Sequence, residues 1–166
     1  MLPAAKVTLI RVAALIVALL IIGTGFAETR RPEPAEPSKR DKCPVCGMFV
    51  YKYPDWLAEV VFKDQTVDFF DGAKDLFKYY FNLRKYRPGR KIRDIAAVYV
   101  REYYDMKLID ARRAFFVVGS DVYGPMGHEL IPFATEKDAK TFMTDHRGKR
   151  LLRFWEVTPE VIGSLD

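Results

Sequence analysis

Cys43-Pro44-Val45-Cys46-Gly47-Met48 concentrates more reactive side chains than any other stretch of the sequence. A Cys-x-x-Cys pair brings two sulfurs within reach of one centre, and Met48 adds a thioether two residues on. Three chemistries compete for the pair. A redox dithiol needs Cys43 at the head of a helix that lowers its pKa, and Gly47 followed by Phe-Val-Tyr is a poor helix start. Structural zinc wants four Cys or His donors, and the sequence has neither a second Cys-x-x-Cys nor a His-x3–5-His. Monovalent copper prefers thiolate and thioether and accepts few ligands. Methionine separates the three, because neither zinc nor disulfide exchange uses it.

A second short motif has the same build: Tyr123-Gly124-Pro125-Met126-Gly127-His128. Residues two apart in an extended segment project to one side, so Met126 and His128 can face one point, as Cys46 and Met48 can around Gly47. Taken singly, a methionine in a turn or a lone histidine is ordinarily packing or surface. As a pair opposite the thiols they become candidate ligands. His146 falls on the apolar stripe of a helix near its C-terminus, where the dipole favours a cation, and reads as structural.

These residues need a scaffold, and the composition supplies one. The chain has 166 residues, 49% hydrophobic and 30% charged, which excludes intrinsic disorder and a bundle of membrane spans. Two cysteines exclude a disulfide-stapled mini-protein. The net charge of +5 includes Lys6 and Arg11, so the remainder is only modestly basic and offers no footprint for nucleic acid. No Ser-His-Asp arrangement or phosphate-cradling glycine loop is present, and no catalytic step is expected. The aspartates and glutamates read as solvated groups on charged helix and strand faces.

From residue 43 onward the pattern repeats. Leu57–Phe62 and Thr66–Phe70 read as strands around the turn Lys63-Asp64-Gln65. Asp71 is placed as an N-cap before a helix whose apolar face is Ala73, Leu76, Phe77, Tyr80 and Phe81, and Ile95–Tyr104 is a third strand. The second half follows suit with strands Ala114–Gly119 and Glu129–Phe133. Thr135 then caps a helix whose apolar face is Ala139, Phe142, Met143 and His146, with Gly148 as its stop, and Leu151–Val157 is the last strand. The expectation is an α+β fold of two small related ββαβ units, 43–110 and 111–166, that pack together because neither could build a core alone. Inside the first unit, between its helix and its third strand, the basic run Arg84, Lys85, Arg87, Arg90, Lys91, Arg93 reads as a solvated connection or as a contact for anionic lipid or an acidic membrane partner.

Residues 1–27 hold two cations, then an apolar run from Val12 to Ile22, then small residues before Glu28. That is the order of an export signal, and Val7–Ala27 is also long enough to remain as a membrane anchor. Either way the rest of the chain is expected outside the cytoplasm, in the periplasm, with its positive end inside. No cysteine follows the apolar run to accept a lipid. Residues 28–42 are charged and proline-rich, with Ala35 the one apolar residue, and read as a tether.

CPVCGM, then FFDGAKDLFKYYF, then SDVYGPMGHELIPF together resemble the nitrous-oxide-reductase accessory proteins, the NosL-type copper chaperones, over most of 43–157. The resemblance implies the paired ββαβ arrangement (NosL/MerB-like) and binding of Cu(I) for delivery to an extracytoplasmic copper enzyme. That acceptor would be nitrous oxide reductase, with a membrane transporter complex as a further partner. It carries over onto Cys46 and Met48, and onto Cys43 and Met126, with His128 as the residue to complete the set. The rival class is a thiol–disulfide oxidoreductase working through Cys43 and Cys46.

Overall fold

The computed structural model describes residues 31–166, so the expected signal or anchor in 1–27 lies outside the described residues. Strand β1 (Ala58–Phe62) pairs antiparallel with β2 (Val67–Phe70) on one side and β3 (Ile95–Arg101) on the other. A short strand β4 (Leu108–Asp110) extends the sheet beyond β3, giving the order β2-β1-β3-β4. Between β2 and β3 run helix α1 (Ala73–Phe81) and a single turn, α2 (Leu83–Tyr86).

The second half repeats this order. Strand β5 (Phe115–Val118) lies between β8 (Ile131–Phe133) and β9 (Arg150–Arg153), again antiparallel to both, with α3 (Glu136–Asp145) crossing from β8 to β9. A two-stranded hairpin, β6 (Tyr123–Gly124) and β7 (Gly127–His128), is inserted between β5 and β8, and α4 (Pro159–Gly163) ends the fold. The α+β class and the two ββαβ units follow the alternation of apolar residues, because each sheet must bury one face against its own helix.

One continuous core joins the halves. Val60, Phe62 and Val98 from the first sheet meet Phe116 and Leu152 from the second, with Leu76 and Phe77 of α1 among them. Phe77 packs edge-on against Phe116 at 5.4 Å between ring centres and tilts against Phe154 at 5.0 Å. The other face of the second sheet buries Val117, Ile131 and Phe133 under Ala139 and Phe142 of α3. Since α1 is covered from several sides, its burial exceeds the expected stripe: Tyr79, Lys74 and Asp75 are buried too, while Tyr80 and Phe81 are half-buried.

Several local expectations are corrected. Residues 31–42 do not hang free of the fold. The Tyr99 hydroxyl donates to the Pro32 carbonyl at 2.5 Å, Ala35 donates its N–H to the buried Glu59 carboxylate, and Arg31 pairs with Asp110. Burial raises the Glu59 pKa to about 7, outweighing the Ala35 N–H and the charge of Arg101, which pull it down. Strand β9 stops at Arg153 because the Glu156 carboxylate takes the Arg153 N–H at 2.7 Å and turns the chain into a 3₁₀ turn. Thr135 caps α3 as expected, accepting the Asp138 N–H. At the other end of α3 it is Arg147, not Gly148, that turns left-handed, and Gly148 then bonds back to the Met143 carbonyl.

Candidate metal centre

The Cys-x-x-Cys stretch forms a tight knuckle. Cys43 and Met48 close it through a Cys43 N–H to Met48 carbonyl bond of 2.9 Å, and Gly47 donates to the Cys43 carbonyl at the same distance. Gly47 has φ +79°, a left-handed backbone that a side chain would strain, which explains the glycine between Cys46 and Met48. A bridge between Lys42 and Phe49 seals the base. No helix starts at Cys43; the chain passes instead into a 3₁₀ turn at Val50–Lys52.

The knuckle sits over the N-terminus of α1. The thiols of Cys43 and Cys46 and the carboxylates of Asp71 and Asp75 all come within 4.8 Å of one another. The Cys46 thiol donates to Asp71 at 3.2 Å, and the buried Cys43 thiol donates to Asp75 at 3.3 Å. Asp71 is therefore not the helix cap. Gly72 occupies that position without a capping side chain, and the Asp71 side chain serves the thiol instead. Asp75, four residues on, returns to the same side of the helix. The sequence alone assigns neither aspartate to the site: Asp71 reads as an N-cap and Asp75 as a solvated acid. Their i, i+4 spacing directly after Phe69-Phe70 was the available sign.

Burial pushes both thiols well above the ordinary cysteine range, Cys46 to about 12 and Cys43 further, and the neighbouring carboxylates add to the effect. The two cysteines are free thiols, side by side. This is the reverse of a redox nucleophile, which needs a lowered pKa and access. It suits a soft ion that replaces the thiol protons and releases them to solvent.

Met48 is half-buried within the knuckle. The Met126 side chain is exposed in the two-residue loop between β6 and β7, and its carbonyl accepts from the Lys74 ammonium at 2.8 Å, which ties the hairpin to the first turn of α1. His128 is exposed on the same hairpin, its ring 4.7 Å from that of Tyr123, and it lies outside the Cys43/Cys46/Asp71/Asp75 group. His146 is structural, packed on Phe142 with its ring 3.3 Å from Asp121.

Behind the site, Glu129 is buried between the two halves. Its carboxylate accepts the backbone N–H groups of Lys74 and Leu130, and burial raises its pKa to about 8. It lies so close to Gly72 that a Cβ there would collide with Glu129 Oε2, so any larger residue must displace a carboxylate held by the Lys74 and Leu130 N–H groups. Neither Glu129 nor Lys74 stood out in the sequence, since each finds its partner more than fifty residues away.

The comparisons agree on one family. The NosL family model matches residues 34–162. The "Copper-binding lipoprotein NosL" of Stutzerimonas stutzeri is 32% identical over 154 residues, spanning 87% of this chain and 77% of that protein. The crystal structure of the copper chaperone NosL from Shewanella denitrificans superposes with a TM-score of 0.65 at 30% identity, covering 78% of this chain and 98% of that one.

Proposed function

The chain belongs to the NosL family, and from that membership, together with its paired free thiols, we propose that it binds Cu(I) and passes it to a copper-accepting enzyme. The observation that carries the reading is the convergence of the Cys43 and Cys46 thiols beside two carboxylates. In the proposed mechanism Cu(I) enters at Cys46, the more exposed of the two sulfurs. Asp71 and Asp75, which already accept the thiol hydrogen bonds, pass the departing protons on to solvent, Cys43 and Met48 complete a soft first set of donors, and the β6–β7 hairpin supplies Met126 and His128 from the second half. Few ligands leave an open edge, so an incoming donor can attach before an old one detaches.

The acceptor is proposed to be nitrous oxide reductase, with a membrane transporter complex as a second partner. Work outside the cytoplasm is supported by the lipoprotein name of the Stutzerimonas relative, with residues 1–27 proposed as the tether in place of a lipid. In an oxidising compartment a Cys43–Cys46 disulfide would remove both soft donors, so loading needs the reduced form.

A second reading rests on Asp71 and Asp75. Two thiolates and two carboxylates make a four-donor set that Zn(II) also accepts. The two readings separate in an anaerobic competition with each ion in turn on the reduced protein and on Met48→Ala. Copper carriage is expected to show tight 1:1 Cu(I) binding weakened by Met48→Ala, whereas zinc affinity indifferent to Met48 and exceeding that for Cu(I) would favour the second reading.

A further inference from the structure

The run from Arg84 to Arg93 holds six cations and no acid, whereas the rest of 28–166 carries 19 basic and 22 acidic residues. The fold neutralises only part of this concentration. Arg87 pairs with Asp68 at 3.4 Å, and Arg90 pairs with Asp64 at 2.5 Å while its guanidinium lies 4.7 Å over the Phe62 ring. Those two contacts pin the loop to the β1–β2 end of the first sheet. Arg84, Lys85, Lys91 and Arg93 remain exposed, and among the described residues none of them has an acidic partner.

The loop is shaped as well as charged. The α2 turn and the Pro88-Gly89 reversal fold Arg84 and Lys85 against Arg90 and Lys91 around a groove of about 410 Å³. At its rim Ile92, 41% exposed, projects between Lys91 and Arg93. An apolar side chain flanked by cations fits a layer of anionic headgroups above hydrocarbon better than it fits bulk water. The chain also enters the fold close by. Pro32 is held by Tyr99, four residues along β3 from Ile95, where the basic loop ends, a separation of about 13 Å at the usual strand rise.

We propose that the surface formed by Arg84, Lys85, Lys91, Ile92 and Arg93 docks on an anionic phospholipid bilayer. The proximity argument rests on the reading of residues 1–27 as an anchor; the charge and shape arguments do not. Docked in this way, the domain would lie against the membrane in one orientation rather than tumble at the end of a tether.

The test is hydrogen exchange on the full chain reconstituted in nanodiscs of phosphatidylcholine with and without phosphatidylglycerol. Peptides spanning 83–94 are expected to exchange several-fold more slowly in the anionic discs only. That protection is expected to vanish at high salt and in the triple variant Arg84→Glu, Lys91→Glu, Arg93→Glu, whose fold is checked by circular dichroism. Equal exchange in both lipids, or protection that survives the triple variant, would overturn the proposal and leave an acidic protein as the occupant. Retention in pure phosphatidylcholine discs reports separately on the anchor. If the chain is not retained there, sedimentation with anionic vesicles replaces the disc measurement, and failure to sediment overturns the docking proposal.

Discussion

The Cys46 thiol lies 3.2 Å from an Asp71 carboxylate oxygen, so the outer sulfur of the site donates its hydrogen bond to a carboxylate that also faces any ion arriving there. Burial is the larger cause of the raised thiol pKa, and the carboxylates add to it. Asp71→Asn removes a negative charge beside the sulfur and is expected to lower the Cys46 pKa while leaving it above the ordinary range. Because the thiolate is the nucleophile, alkylation by iodoacetamide at pH 8 is expected to quicken in the variant, by up to about tenfold if the pKa falls by one. An unchanged rate in the folded variant would remove Asp71 from the thiol's surroundings.

Proton release should appear in the metal affinity. Both thiols are protonated well above neutral pH, so each one that binds Cu(I) must lose its proton. Between pH 6 and 8 the logarithm of the apparent Cu(I) affinity is expected to rise by about one per pH unit for each coordinating thiol. Chelator competition across that range, corrected for the chelator's own titration, is expected to give a slope of two. A slope of one means a single ligating cysteine.

The sequence was most readable where local pattern and tertiary environment agree. Leu76 and Phe77 sit on an apolar stripe that does face the core, and Thr135 caps α3 because an N-cap is decided within three residues. The Cys43–Cys46 pair was legible because its spacing alone brings the sulfurs together. Asp71, Lys74 and Asp75 were not legible. By helical periodicity they belong to a polar face, and only the knuckle above α1, the hairpin carrying Met126 and the chain end at Leu165 bury that face. Hairpin β6–β7 escaped because two-residue strands have no measurable alternation.

Glu129 makes stability depend on pH in a specific direction. Its folded pKa is raised from 4.5 to about 8, so between those values the native state holds a proton that the unfolded state has lost. Stability is therefore expected to fall as pH rises through that window. Glu129→Gln keeps the amide-accepting oxygen and is expected to flatten the dependence, with a gain on the order of a few kcal/mol near pH 8. Urea unfolding of both proteins at pH 5 and pH 8 measures it.

Lys74 is the mechanical link between the thiol-bearing half and the hairpin. Its ammonium donates to the carbonyls of Met126 at 2.8 Å and Leu165 at 3.1 Å while almost wholly buried. Lys74→Met fills the same space and strands both acceptors, at an expected cost of about 1–3 kcal/mol. Faster hydrogen exchange in the 123–128 hairpin is expected to accompany the loss, and an unaltered hairpin would show that Lys74 does not hold it.

Copper K-edge X-ray absorption on reduced protein loaded anaerobically with one equivalent of Cu(I) reads the ligand atoms themselves. The expected spectrum has a Cu(I) edge and a shell dominated by sulfur, reduced by one scatterer in Met48→Ala and collapsing in Cys46→Ser. A shell of oxygen and nitrogen alone, unchanged by either substitution, would contradict a thiolate–thioether copper site.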